Sequence, residues 1–178
     1  LNMAPRTAKQ LQPYLVHLDP AVRERLLKSY KRYPRKAAIL ELITNGIFTM
    51  PNVEYAAYRC SKAPTYMYRF DWASGLLKVA GLRACHGLEL PFVFGNFDNR
   101  LGKLVLLGAN KKAVYRISNQ MQEAWINFAR TGNPNDKGQQ LWKPYDLAAR
   151  STLIIDKKEL LLNDPQSQQR MAWEVINI

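Results

Sequence analysis

Two strand-like runs separated by one long amphipathic helix restrict the fold of this chain more than any other feature. Pro64-Thr65-Tyr66-Met67-Tyr68-Arg69-Phe70-Asp71-Trp72 is aromatic-rich and bounded by Pro, which predicts a strand over 65–70. Ser151-Thr152-Leu153-Ile154-Ile155 predicts a second. Between them lies Lys111 to Arg130, where Val114, Ile117, Met121, Trp125 and Phe128 fall on one helical stripe. Strand, long connection, helix, strand is a crossover unit, which joins two parallel strands with right-handed sense. Two parallel strands make a poor sheet alone, because they need cover on both faces and neighbours on their edges. The chain therefore reads as the edge of a larger α/β sheet with flanking helices.

The other elements follow from local signals. Asp19-Pro20 starts a helix in which Val22, Leu26, Leu27, Tyr30 and Tyr33 repeat at helical spacing, and Pro34 ends it. A second helix is predicted over about 36–46, with Ile39, Leu40 and Ile43 apolar and Gly46 near its end. Pro51 opens a third, to about Ser61. The stretch from about Ala73 to Arg100 shows no regular period and reads as a long irregular loop. Gly132 closes the long helix, and Asn133-Pro134-Asn135 is a turn. Asp164-Pro165 starts a last helix with Met171, Trp173 and Ile176 apolar. There is no internal repeat.

Composition excludes several classes. With 47% hydrophobic and 22% charged residues, the chain suits a globular core and argues against wholesale disorder. Runs such as Leu104-Val105-Leu106-Leu107 are too short to span a bilayer, so no membrane partner is expected. The net charge is +12, densest at Arg23, Arg25, Lys28, Lys31, Arg32, Arg35 and Lys36. No finger, RNP-type or helix-turn-helix pattern accompanies these residues, so they read as a solvated face rather than a nucleic-acid site. Cys60 and Cys85 make no metal pattern with His17 and His86. The strand between the two cysteines separates its ends by roughly 20 Å. A disulfide needs Cα atoms within about 7 Å. Two free thiols fit a reducing, cytoplasmic compartment. The start, Leu1-Asn2-Met3-Ala4-Pro5-Arg6, has neither an initiator Met nor an apolar signal region, which suits a chain cut from something longer.

The chemistry concentrates in Cys85-His86-Gly87-Leu88-Glu89-Leu90-Pro91-Phe92-Val93-Phe94-Gly95-Asn96. An imidazole titrates near neutrality and can accept and return a proton. Gly87 lets the backbone turn beside it. The run from Leu90 to Phe94 would anchor the loop by packing. In open α/β sheets, sites collect beyond the carboxyl ends of strands, where His86 belongs if it follows strand 65–70. His17, among apolar residues before a helix cap, is read as structural. Gly95 to Lys103 lacks phosphate-loop spacing.

This segment resembles the catalytic-histidine loop of type-B carboxylesterases, a branch of the α/β-hydrolases. Ile43-Thr44-Asn45-Gly46-Ile47-Phe48-Thr49-Met50-Pro51 is similar to the helix leading into that family's second-last strand. Tyr68–Trp72 and Ala124–Pro134 resemble the bacterial para-nitrobenzyl esterases in particular; Trp142-Lys143-Pro144-Tyr145 and the last helix also fit. The resemblance implies an α/β-hydrolase C-terminal fragment, comprising the last strands of a mostly parallel sheet with flanking helices, as one segment over residues 1–178. It implies a carboxylic ester hydrolase working through an acyl-enzyme, with His86 as general base and acid and Glu89 in support beneath it. Leu88, Phe92 and Phe94 are candidate pocket residues. No metal or cofactor is implied. Where that family often has Asp, Asn45 stands. No Gly-x-Ser-x-Gly elbow surrounds Ser29, Ser61, Ser74, Ser118, Ser151 or Ser167, and no acid segment is recognisable. The chain alone should then be inactive. Its expected partners are a small-molecule ester, the missing N-terminal part of the same enzyme and, through an exposed sheet edge, a second copy. The alternative is a non-catalytic, cholinesterase-like adhesion or interaction protein.

Overall fold

A computed structural model describes residues 4–135 and 141–176. They form two compact units: the described residues up to Tyr58 with those from Pro165 on, and Arg59–Asp164.

The first unit is helical. Helix α1 (Ala8–Leu15) is capped by Thr7, whose side chain accepts from the Gln10 amide; the sequence analysis predicts no helix before Asp19. Helix α2 (Pro20–Lys28) is capped by Asp19 as expected but stops five residues before Tyr33. The Ser29 hydroxyl donates to the Leu26 carbonyl, and the Ser29 amide is shared by the Arg25 and Leu26 carbonyls. The last turn tightens, and Tyr30 leaves the helical track for the core. Helix α3 (Lys36–Thr44) runs through a π-helical turn, Asn45–Thr49, into α4 (Met50–Cys60). Two helices parted at Gly46 had been expected. Gly46 serves close approach instead: a Cβ there would lie 2.6 Å from the Trp173 ring. Helix α9 (Ser167–Trp173) begins three residues after Asp164, and it buries Ala172 while Met171 stays exposed.

Leu11, Leu15, Leu26, Ile39 and Leu42 form this unit's core. Within it the Tyr30 hydroxyl accepts from Asn45 Nδ2 at 3.0 Å and Trp173 Nε1 at 2.8 Å. Asn45 Oδ1 accepts from Gln166 Nε2 at 3.2 Å. Buried amide, indole and phenol groups thus satisfy one another, as buried polar groups must. Burial pushes the Tyr30 hydroxyl above its ordinary pKa, with the bonds from Trp173 and Asn45 opposing.

The second unit carries a three-stranded sheet in the order β1 (Met67–Phe70), β2 (Ser151–Ile155), β3 (Leu160–Asn163). β1 and β2 are parallel, with Met67 opposite Thr152 and Phe70 opposite Ile155, as the crossover required. β3 returns antiparallel along β2 and was not anticipated. The polar run Asp156-Lys157-Lys158-Glu159 is its hairpin turn. β2, the central strand, is buried along its whole length. The expected irregular stretch 73–100 contains α5 (Gly75–Val79) and α6 (Leu90–Val93), and α7 (Arg100–Leu106) follows. Helices of four to seven residues are too short for a 3.6-residue period to show. Ser74 and Asn99 cap α5 and α7 through the Leu77 and Gly102 amides. Helix α8 (Lys111–Thr131) is capped by Asn110 and closed by Gly132 at φ 74°. It buries Val114, Ile117, Ser118 and Met121, while Phe128 at its last turn is exposed.

Candidate active-site loop

Beyond Phe70 the Asp71 and Trp72 amides both donate to the Ile155 carbonyl, at 2.9 and 3.2 Å. The chain thus stays on the carboxyl end of β2 before entering α5. Arg69 grips Asp71 through two bonds of 2.8 and 2.7 Å, which fixes the end of β1.

The histidine loop is a ladder of successive turns. Leu88 N donates to Cys85 O at 3.0 Å, Leu90 N to Gly87 O at 3.2 Å, and Phe92 N to Glu89 O at 2.9 Å. Gly87 has φ +80°, a conformation that disfavours other residues. Burial alternates sharply along these turns. Leu88 and Phe92 are 0% exposed and Phe94 is 73% exposed; His86 is exposed and Glu89 half-buried. Phe92 sits among Phe70, Trp72 and Phe97 with ring centroids 5.0, 5.1 and 5.5 Å away, all edge-to-face. His86 and Glu89 thus lie in successive turns of one loop. Leu88 and Phe92 point into the core beneath it, and Phe94 faces solvent.

The Tyr68 hydroxyl is pushed above its ordinary pKa by burial first and by the Glu89 charge second. Tyr68 also packs on Trp125 at 5.0 Å.

The loop is fastened to α8 by residues the sequence had offered only as rejected nucleophiles or not at all. Ser118, 1% exposed, donates from Oγ to the Phe92 carbonyl at 2.7 Å. Gln122 Nε2 donates to Ser118 Oγ at 3.0 Å. Gly95, at φ +61°, lies against the Gln122 amide, where a Cβ would be 3.0 Å from Oε1. The available signal was a serine inside the apolar stripe of α8, a polar group where only a satisfied one survives.

The other serine hydroxyls with described bonds are committed to structure. Ser74 caps α5, Ser29 bonds Leu26, and Ser151 Oγ bonds Asn163 Oδ1. Neither cysteine is in a disulfide; Cys85, beside His86, is exposed. Among the described residues no cluster of His, Cys, Asp and Glu could hold a metal. None of their helices is long and apolar enough to cross a membrane. A cavity of about 90 Å³ between α8 and β2, lined by Trp125, Trp142, Ile155 and Glu159, does not include His86. Burial raises the Glu159 carboxyl above its ordinary pKa, with Arg116 opposing.

A family model described as "Carboxylesterase family" matches residues 6–173. The para-nitrobenzyl esterase of Bacillus subtilis (strain 168) is 40% identical over 141 residues, covering 78% of this chain and 27% of that protein. Human cocaine esterase is 34% identical over 114 residues, covering 62% of this chain and 20% of that protein. A solved PNB esterase superposes with TM-score 0.76 at 34% identity, over 94% of this chain and 33% of that one. The chain thus spans about a third or less of the length of these relatives.

Proposed function

The chain belongs to the carboxylesterase family, and on that premise we propose that it supplies the acid–base histidine of a carboxylic ester hydrolase. In this reading His86 takes the proton of a serine as the serine attacks the ester carbonyl, and passes it to the leaving alcohol. It then activates water against the acyl-enzyme. The serine, the acid that orients His86 and the oxyanion donors come from residues outside this chain. Glu89, in the next turn, supports the loop from beneath. Phe94 is the exposed apolar side chain best placed to line a pocket for a small ester, with Leu88 and Phe92 holding the wall from the core.

One observation carries the reading: an exposed imidazole on a turn whose neighbours Leu88 and Phe92 are wholly buried. A loop packed this firmly holds its one accessible base in a fixed place, which proton transfer demands. On the same unit, Leu76, Val79, Leu82, Leu90 and Phe94 leave apolar surface exposed. Among the described residues, β1 has a strand on one side only. Both features support docking onto further strands and helices of an esterase, or failing that onto a second copy. Cysteines outside any disulfide support a reducing, cytoplasmic location.

The chain alone is expected to resist a fluorophosphonate probe and to hydrolyse p-nitrophenyl acetate no faster than an equal concentration of free imidazole. Stoichiometric labelling of any of its serines, with loss of turnover, would place the nucleophile within this chain and overturn the assignment.

A further inference from the structure

We propose that Ser118, oriented by Gln122, is a positioning residue for His86: it sets where the histidine loop sits by holding the carbonyl end of α6 to α8. The inference rests on the reading of His86 as the acid–base group.

The hydrogen-bond directions leave Ser118 one role. A hydroxyl carries a single proton. Gln122 Nε2 donates to Ser118 Oγ at 3.0 Å, so the Ser118 proton goes to the Phe92 carbonyl, 2.7 Å away. That carbonyl is at the end of a four-residue helix and receives otherwise a long bond of 3.4 Å from the Gly95 amide. Ser118 therefore supplies its short partner, across 26 residues of sequence. Gln122 also donates to the Ser118 carbonyl at 3.3 Å, which limits its own rotation. Gly95 lies against the same amide, so the chain leaving α6 has little room to slide.

From Phe92 the constraint runs back to His86 through rigid pieces. Its ring is locked among Phe70, Trp72 and Phe97. Its amide closes on Glu89, Leu90 on Gly87, and Leu88 on Cys85, the residue before His86. The Phe92 side chain fixes the depth of α6 over the sheet. The Ser118 bond fixes its place along α8, because a directional contact resists sliding that apolar packing tolerates.

The test uses the whole 178-residue chain, which has only two histidines, His17 and His86, on different units. Their imidazole ¹H–¹³C signals can be followed separately, with His17 as the internal control. Ser118→Ala is expected to shift or split the His86 signal and to broaden it, leaving His17 unmoved. An unchanged His86 signal, with or without a lower urea midpoint, would make Ser118 a stability residue only and overturn the proposal. If Ser118→Ala does not fold, Gln122→Met takes its place, with the same shift expected and the same null result decisive. When this chain replaces the matching segment of a para-nitrobenzyl esterase, Ser118→Ala should lower kcat about 10–100-fold with little change in KM, as a small misplacement does. Turnover that depends on His86 but not on Ser118 refutes the positioning role alone. Turnover indifferent to His86 refutes the acid–base reading instead.

Discussion

At the scale of single residues, exposure and burial alternate within a few positions of the histidine loop, where His86 is exposed while Leu88 and Phe92 are wholly buried. His86 stands out in the sequence because a glycine follows it and an apolar run follows that; the role proposed for it rests chiefly on the resemblance of this segment to the carboxylesterase histidine loop. Asn45 was legible only as a departure from a resemblance; its use as the hub between Tyr30 and Gln166 depends on residues 15 and 121 positions away. No local pattern encodes partners at such separations. Two phenols, Tyr30 of that network and Tyr68 of the other unit, give the chain a pH signature. Tyr30 and Tyr68 both have their hydroxyl pKa raised, with burial the larger cause in each. In the unfolded chain they ionise near the ordinary value of about 10. Between that value and the raised folded one, the unfolded state loses protons that the folded state keeps. Their contribution is therefore complete below about pH 10 and is lost as pH rises through the folded values. Urea midpoints should fall steeply above that pH. Tyr30→Phe should flatten part of the fall, while costing about 1–3 kcal/mol at neutral pH by leaving the Asn45 and Trp173 donors unpaired. An identical alkaline slope in the variant would remove Tyr30 from this account.

At the scale of elements, long periodic segments were readable and short ones were not. Helix α8 and the parallel pairing of β1 with β2 matched expectation, because 21 residues of periodicity and a crossover rule both constrain them. Helices α5 and α6 hid in a stretch read as loop, and α7 follows it; α5 and α7 are held by side-chain caps and α6 by the burial of Pro91 and Phe92, rather than by patterns of their own. The α3–α4 run escaped because Gly46 resembles a helix end when the ring it accommodates, Trp173, lies far along the chain. Gly102 tests how tightly these short pieces are set. A Cβ there would fall 2.3 Å from Phe97 Cα, a backbone atom that no rotamer change can move. Gly102→Ala should therefore destabilise by at least about 1–3 kcal/mol, the usual cost of overpacking, although alanine is the better helix former. A urea midpoint equal to or above that of the parent would mean that α7 sits more loosely against Phe97 than described.

At the scale of the molecule, the carboxylesterase family match extends over nearly the whole chain, while the chain spans a third or less of its relatives. Among the described residues β1 has a strand on one side only, and Ser29, Ser74, Ser118 and Ser151 are engaged in structural hydrogen bonds; with the exposed His86, these features support the proposed reading of a histidine-bearing piece of an esterase site. Replacing the matching segment of the Bacillus subtilis para-nitrobenzyl esterase by this chain brings His86 to the nucleophile that the proposed reading places outside it. The decisive measurement is kcat of this graft for a p-nitrobenzyl ester, with His86 intact and as His86→Gln. We predict measurable turnover that falls by at least about a thousandfold on substitution, because members of such a triad act as a unit. A folded graft that turns over equally with and without His86 would contradict the assignment of this histidine as the acid–base group.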